Sequence, residues 1–494
     1  MLTSLVDVRE GEGRLALGAF AALFGVVAGH TVLETARDAL FLSKLPANQL
    51  TIVYAGVALA TLAASSLNAR FVRRFGQRNA LVATLVVGAY VTALLRFSHM
   101  QRAVLFLLYG WSALLGAVLG VQFWMYAGKL FTVAQGKRLF GPIAAGGVLG
   151  AVVGASGAAA AVAFLPVKSL LLVSAGFFIV TAGLVTLLPA GEDQQAAPAS
   201  AAAPETRREG LVDLFRRVPY LRQLAVFTAL GTAALLVTDY LFKSIAAARV
   251  PHAELGAFFA RTYAVLNVLS LGVQLLVAGR LLRRLGVVAA LLVLPFCIAL
   301  GSGGMVVAGG VLALSLFAKG SDGALRYSLQ RVASELLWMP LAGEVRDRAK
   351  ALLDSVFGKV MQAVVAGLLL LLVPLGLSTP RVLALAALVL AIAWFGSVLV
   401  LQPAYVDLFR QALARGTLDV HLDATELDLT SVEAVLEALS SRDPSRVVAA
   451  MELLRDKKRD RLVPALVLYH ESDDVLVRAL PIVGRPDRTD WVPL

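Results

Sequence analysis

The sequence predicts an all-α protein: a twelve-span transmembrane helical bundle in two six-helix halves, followed by a short cytosolic α-helical repeat segment. Three observations lead there. Of 494 residues, 59% are apolar and 16% charged, and the mean hydropathy is +0.78, too apolar a composition to cover a water-facing exterior. The apolar residues gather in long, nearly uncharged runs, and a helical crossing takes ~20 such residues. A basic segment that follows the second run recurs at the equivalent place in the second half. A large soluble enzyme is thereby disfavoured. The formal charge of +12 does not indicate nucleic acid, because Lys and Arg cluster between the apolar runs, where membrane orientation accounts for them.

The first six spans read as 15–36, 50–69, 80–98, 103–126, 141–164 and 168–189. Residues 190–210 are rich in Ala, Pro and charge without an apolar period, as a flexible linker is. The second six read as 223–246, 256–279, 286–303, 305–325, 352–376 and 381–402. The expected divisions are thus 1–189, a linker over 190–222, 223–402, and a cytosolic helical segment over 403–494. Basic residues set the orientation. Arg70, Arg73, Arg74 and Arg78, then Lys137 and Arg138, then Arg207, Arg208, Arg216 and Arg217 occupy alternate connections, continued by Arg280, Arg283 and Arg284 and by Arg346, Arg348 and Lys350. The other connections hold little beyond Arg96, Arg102, Lys168 and Arg381. The positive-inside rule then places both termini and the linker in the cytoplasm of a cell whose inner (plasma) membrane holds the chain. Asp7, Arg9, Glu10, Glu12 and Arg14 ahead of the first span do not fit a cleavable signal. Cys297, the single cysteine, lies in an apolar run.

The repeat is specific. Ala69-Arg-Phe-Val-Arg-Arg-Phe-Gly76 recurs as Gly279-Arg-Leu-Leu-Arg-Arg-Leu-Gly286, and each copy follows a run holding a Tyr-Ala pair, Tyr54-Ala55 and Tyr263-Ala264. Two parallel six-span repeats joined by a linker form the architecture of the major facilitator type, whose halves rock about a midplane site. The tail differs in kind. Residues 431–440, 445–455 and 461–469 carry apolar residues at helical spacing, and Asp473 opens another such stretch. They resemble the start of a HEAT-type array, which either docks on the membrane part or continues into further sequence, and which could bind a protein partner.

Soluble-enzyme signatures are absent: there is no phosphate loop, H-E-x-x-H, C-x-x-C pair or G-x-S-x-G, and no metal or cofactor is expected. Gly146, Gly150 and Gly154 stand at i, i+4 and i+8 and read as a helix-packing face. Charges within spans are the informative residues, since an ionisable group in hydrocarbon needs a cavity or a partner. Glu34, Arg37 and Asp38 close span one; Asp239 and Lys243 stand at i, i+4 in span seven; Lys319, Asp322 and Arg326 form a stripe in span ten; Asp354 and Lys359 open span eleven. Arg326, Asp354 and Lys359 could equally snorkel to the surface. Several cations beside a few carboxylates suit an anionic solute.

These residues also carry a resemblance. Phe123-Trp124, Phe131-Thr132-Val133, Lys137-Arg138, Phe140, Pro142 and Gly146-Gly147 resemble the F-W…F-T…A-K-R-F-Y-P-L-F-G segment of the ATP/ADP translocases of plastids and intracellular bacteria. Leu236-Val237-x-Asp239-x3-Lys243 is similar to that family's L-V-E-x-x-x-K. Arg326-Tyr-Ser-Leu329, Trp338-Met-Pro-Leu341, Lys350-Ala-x2-Asp354 and Gly358-Lys359 resemble its K-Y-S-L, Y-I-P-L, K-A-x-x-D and G-K. The likeness runs in order over about residues 15–402. It implies a twelve-span nucleotide carrier that exchanges ATP for ADP, or imports nucleotides with protons, without a covalent intermediate. Arg37 falls on the family's basic residue of span one and Asp239 on its acidic residue of span seven. The chain departs from the pattern at Tyr109, where a Glu is expected before Trp111, and in having Arg rather than Lys at Arg37.

The leading expectation is therefore a secondary transporter of nucleotides or related phosphorylated anions, not an enzyme. Arg37, Asp38, Asp239, Lys243, Lys319, Asp322, Arg326 and Lys359 would bind substrate, and Arg73, Arg74, Arg283 and Arg284 would gate the cytoplasmic side. The alternatives are a membrane-embedded ligand sensor or scaffold that signals through its helical tail, and a general major facilitator exporter.

Overall fold

In hydrocarbon every backbone N–H and C=O must find its partner within the chain, so the apolar runs fold as helices. The computed structural model describes residues 12–190, 215–341, 343–414, 438–439, 443–456 and 463–483, and no strand occurs among them. The first half holds α1 (Gly13–Leu42), α2 (Leu50–Phe75), α3 (Gln77–Phe97), α4 (Arg102–Leu130), α5 (Val133–Val162) and α6 (Leu170–Leu187). The second holds α7 (Pro219–Arg249), α8 (Leu255–Gly272), α9 (Gly279–Ala308), which is kinked at the non-helical Gly286, α10 (Leu312–Leu325), the short α11 (Arg331–Leu336) and α12 (Gly343–Leu352), then α13 (Gly358–Leu372) and α14 (Pro380–Ala414). In the tail lie α15 (Pro444–Asp456) and α16 (Asp473–Val483).

Each of the twelve expected spans contains a helix. By length and composition alone, nine of the described helices suffice to cross a membrane, and α2, bent by 44° between its two parts, makes a tenth. The other two, α10 and α13, have 14 and 15 residues of their own, and π-turns at Arg326–Gln330 and Leu353–Phe357 join them without a break to α11 and α12. α10 carries Lys319 and Asp322, which a helix facing a wet cavity tolerates and one facing lipid does not. Several boundaries move. Residues 305–308, expected in span ten, end α9, because the turn falls at Gly309 and Gly310, whose φ of 77° and 81° only glycine adopts easily. Span eleven begins earlier than expected, since the π-turn Leu353–Phe357 joins α12 to α13 without a break, and it ends at Leu372. The expected break after residue 402 lies inside α14, where Pro403 removes one hydrogen bond without ending the helix. Of the linker, 191–214 lie outside the described residues, and α7 already begins at Pro219, the favoured first helical position for proline.

The internal repeat is visible in the backbone. Gly76 and Gly286 follow the two basic segments with nearly the same left-handed conformation, φ 78° and 80°. Tyr54 precedes its glycine by 22 residues and Tyr263 by 23. The additional residue coincides with a π-helical turn at Val273–Ala278, whose i→i+5 bonding takes up one more residue per turn than an α-helix. Contacts between the halves obey the same symmetry: α5 packs on α8, and α2 packs on α13, so spans five and eight mirror spans eleven and two.

The glycine stripe packs as expected. A Cβ at Gly146 would lie 2.5 Å from the carbonyl oxygen of Phe20 and one at Gly154 2.6 Å from that of Ala28, while Gly150 abuts the carbonyl of Phe24. Backbone meets backbone along α1 and α5 in register, the small-residue mode by which helices associate in lipid. At its start α5 is capped by Thr132, which accepts from the Gln135 N–H while the Gln135 side chain returns to the Thr132 N–H. Arg138 pairs with Glu12 at 2.8 Å and ties α5 to the start of α1.

The tail forms its own small core, with Val447, Met451, Leu454, Val475, Ala479 and Ile482 buried together, and α15 also touches α14. The expected helix at 445–455 is α15, and Asp473 opens α16. The stretch expected at 461–469 reduces to a 3-10 turn, Ala465–Tyr469, because Pro464 interrupts it. Residues 431–437 lie outside the described residues.

Candidate substrate cavity

Between the halves lies a cavity of about 770 Å³. α1 contributes Glu34, Arg37 and Asp38, and α7 contributes Asp239 and Lys243. α10 adds Lys319 and Asp322, and Arg326 opens the π-turn that continues it; α2, α4 and α8 add Tyr54, Tyr109 and Tyr263. Seven of the eight residues expected to bind substrate therefore meet in one space. Lys359 is the exception. It is half-buried on α13 and outside the lining, where Gln362, one turn on, takes the position facing the cavity.

The charges form a continuous ladder. Arg37 pairs with Glu34 at 3.5 Å and with Asp38 at 3.1 Å. Lys243 lies 3.2 Å from Asp38 and 3.1 Å from Asp239. Lys319 then bridges Asp239 at 2.7 Å and Asp322 at 3.1 Å, and Arg326 pairs with Asp322 at 2.5 Å. Four cations thus alternate with four carboxylates. The sequence expectation of a cation-rich cavity is corrected here: the deep layer is neutral, because each cation is within reach of at least one acid. Neutrality is what burial demands, since an uncompensated ion in this setting costs several kcal/mol.

Three tyrosines, one of them outside the repeat, complete the layer. Tyr54 of the first half donates to Asp239 of the second at 2.8 Å, and Tyr263 of the second donates to Asp38 of the first at 2.6 Å. The two Tyr-Ala repeats therefore make crossed bonds, each to an acid of the opposite half. Tyr109, where the nucleotide-carrier pattern has Glu, accepts from Lys243 at 2.9 Å and lies under the Arg37 guanidinium, 4.2 Å from ring centre to carbon. Ser112, one turn along α4, accepts from Arg37 at 3.3 Å.

The cavity has a closed and an open end. Asp38 lies one turn before the end of α1 and Tyr54 one turn into α2, so the ladder sits near the end of the bundle opposite the basic α2–α3 turn. Phe41, Phe106 and Tyr109 pack there ring to ring, as do Phe242, Phe258 and Phe259. Asp38 is 1% exposed and Lys243 3%. Toward the other end, the side chain of Glu34 is 42% exposed and that of Arg331 70%. The cavity thus opens toward the end bearing the basic turns. Arg73, Arg74 and Arg284 are exposed at that end, on the last turn of α2 and the start of α9. Of Arg283 only the backbone is described.

Sequence reasoning missed Tyr109, Ser112, Arg331 and Gln362 as lining or supporting residues. Only Tyr109 carried a signal, a departure from pattern that the ladder explains by giving its hydroxyl to Lys243.

Comparison with protein-family descriptions gives no match, and comparison with curated proteins gives none either. Solved structures do match. The nucleoside transporter NupG is 14% identical, with a TM-score of 0.54 over 80% of this chain and 98% of that one. The D-xylose-proton symporter is 11% identical, with a TM-score of 0.52 over 77% and 97%. The inward-open xylose transporter XylE from E. coli is 12% identical, with a TM-score of 0.52 over 77% and 95%. At such identities the likeness is one of fold, and with the two matched halves and the central cavity it shows that this chain has the major facilitator fold.

Proposed function

We propose that the chain is a secondary transporter of phosphorylated anions, nucleotides first among them, working by alternating access. The observation that carries this reading is the neutral ladder of eight charges that crosses between the halves at the closed end of an otherwise open cavity. On the positive-inside orientation the open end is cytoplasmic. A phosphate arriving there meets Arg331, then Arg326 and Lys319, whose present acceptors are Asp322 and Asp239. Its oxygens are acceptors of the same kind, so it can take a carboxylate's place on these cations. An acid released in this way repels its neighbours and loosens the Asp38–Lys243 pair and the crossed tyrosine bonds. The halves can then part at that end while Arg73, Arg74, Arg283 and Arg284 come together at the other. The likeness of the Asp239/Lys243 and Arg326-Tyr-Ser-Leu329 segments to nucleotide carriers, and the fold shared with a nucleoside transporter, support nucleotides as the first solutes to try.

Proteoliposomes loaded with ADP and offered labelled ATP test the reading. Uptake above that of empty vesicles, abolished by Arg37→Ala in folded protein, is expected. Uptake no faster than in empty vesicles for all nucleotides and phosphate sinks it. A second reading, a membrane sensor acting through the tail, draws on the continuity of α14 to Ala414 and its contact with α15. It requires phosphate binding without any transport, together with a ligand-dependent change in tail accessibility.

A further inference from the structure

A second space lies beside the cavity. Between α8 and α10 runs a groove of about 660 Å³, lined by Val265, Leu269 and Val273 on one side and by Ala313, Phe317 and Ala324 on the other. From Arg261 to Val273 it follows α8 for ~18 Å at 1.5 Å per residue. Val265 and Leu269 are half or more exposed and Phe317 is 43% exposed on the outer face of the bundle, so the groove faces the hydrocarbon of the bilayer. Its deep end is marked by the π-turns at Val273–Ala278 and Arg326–Gln330, which touch each other.

Groove and cavity share one wall residue, Leu266, which lines both. Opposite it on α10 stand Gly320 and Gly323. A Cβ at Gly323 would lie 3.3 Å from Leu266 Cβ, and one at Gly320 3.5 Å from its Cδ2. Leu266 therefore stands between the two spaces where α10 presents only glycines, and joining them takes a movement of its side chain together with a small separation of α8 from α10. Lys319 and Arg326 face the cavity from the same helix whose other stripe, Phe317 and Ala324, faces the groove.

We propose that this site takes an amphiphile: a phosphate monoester bearing one alkyl or acyl chain, with its phosphate on Lys319 and Arg326 in the cavity and its chain passing Leu266 into the α8–α10 groove. The inference rests on the reading of the cavity as a phosphate site. It goes further by naming the class of organic group attached to the phosphate. A cation-lined chamber alone admits soluble anions. A chamber whose wall, once Leu266 moves aside, gives onto an apolar slot in the membrane also admits a head whose tail never leaves an apolar environment, and so avoids the cost of ~0.8 kcal/mol for each methylene drawn into water.

The test is calorimetric titration of the full chain in nanodiscs with inorganic phosphate, ATP, and butyl, hexyl and octyl phosphate, which are short enough to be delivered from water. Nanodiscs without protein correct for partitioning into lipid. The Kd is expected to fall about tenfold for each two methylenes added, at ~0.8 kcal/mol per methylene and 1.4 kcal/mol per tenfold. Val265→Trp, at an exposed position that lines only the groove, fills the slot, as does Leu269→Trp. Either is expected to abolish the dependence on chain length while leaving the Kd for inorganic phosphate unchanged. Absence of that dependence in the unaltered protein, or its persistence in both variants, overturns the amphiphile inference alone. Failure of inorganic phosphate and ATP to bind as well removes the phosphate reading, and this inference with it.

Discussion

Asp38 and Lys243 are the rung of the ladder at which the two halves meet, and removing both should cost about as much as removing either. Asp38→Asn leaves Arg37, Lys243, Lys319 and Arg326 against Glu34, Asp239 and Asp322, an excess of one buried cation. Lys243→Gln leaves an excess of one carboxylate. In the double variant three cations face three acids: Arg37 retains Glu34 at 3.5 Å, Asp239 retains Lys319 at 2.7 Å, and Arg326 retains Asp322. Breaking a buried pair by removing one partner costs about 3–5 kcal/mol, and with Asp38 1% and Lys243 3% exposed about 3 kcal/mol is expected for each single change. The coupling between sites in one network reaches about 3 kcal/mol, so the double variant should recover up to half of the summed loss and be about as stable as either single variant. Thermal unfolding of the purified protein, followed by light scattering and by intrinsic fluorescence, reads all four corners of the cycle. Additive losses, or single variants as stable as the starting protein, would refute a balanced buried ladder.

The crossed bonds make Tyr54→Phe and Tyr263→Phe equivalent. Each removes one hydrogen bond to a carboxylate of the opposite half, worth about 1.5–3 kcal/mol, and each should favour opening of the closed end, read as faster labelling of a cysteine introduced at Phe41 in a background lacking Cys297. A slower rate in either variant contradicts the latch. Gly150→Leu should prevent the close approach of α5 to Phe24 of α1, costing at least 1–3 kcal/mol of overpacking. Unchanged stability and yield would mean the helices do not meet there. Lys359→Gln should leave transport within about twofold of the starting rate while Arg326→Gln lowers it more than tenfold, a loss of at least about 1.4 kcal/mol. Equal effects in vesicle uptake would restore Lys359 to the site.

Much of the fold is legible in the sequence because hydrocarbon enforces one rule along the whole chain. The twelve runs mark the helices, and the Arg-Phe-Val-Arg-Arg-Phe-Gly76 segment with its second copy marks the symmetry. Helix ends were less legible where polarity and helicity part company. Gly309 and Gly310 end α9 inside an unbroken apolar stretch, and α14 passes Pro403 because only one backbone bond is lost there. The site was visible as buried charge, but its balance was not. Sequence spacing shows which charges share a helix face, and so pairs Asp239 with Lys243, but it cannot show that Asp38 on another helix holds the same lysine. Tyr54 and Tyr263 were marked by the repeat, yet their crossed partners depend on the packing of the two halves. Lys359 shows the converse, since a charge within a span need not line the cavity.

A structure of the protein with a phosphate compound bound, solved by electron cryomicroscopy, tests the central claim most directly. The phosphate is expected between α1, α7 and α10, within hydrogen-bond distance of Lys319 and Arg326, with Asp322 displaced from at least one of them. A ligand bound elsewhere, or an occupied cavity with all seven ion pairs of the ladder intact, would contradict the exchange of partners on which the proposed transport depends.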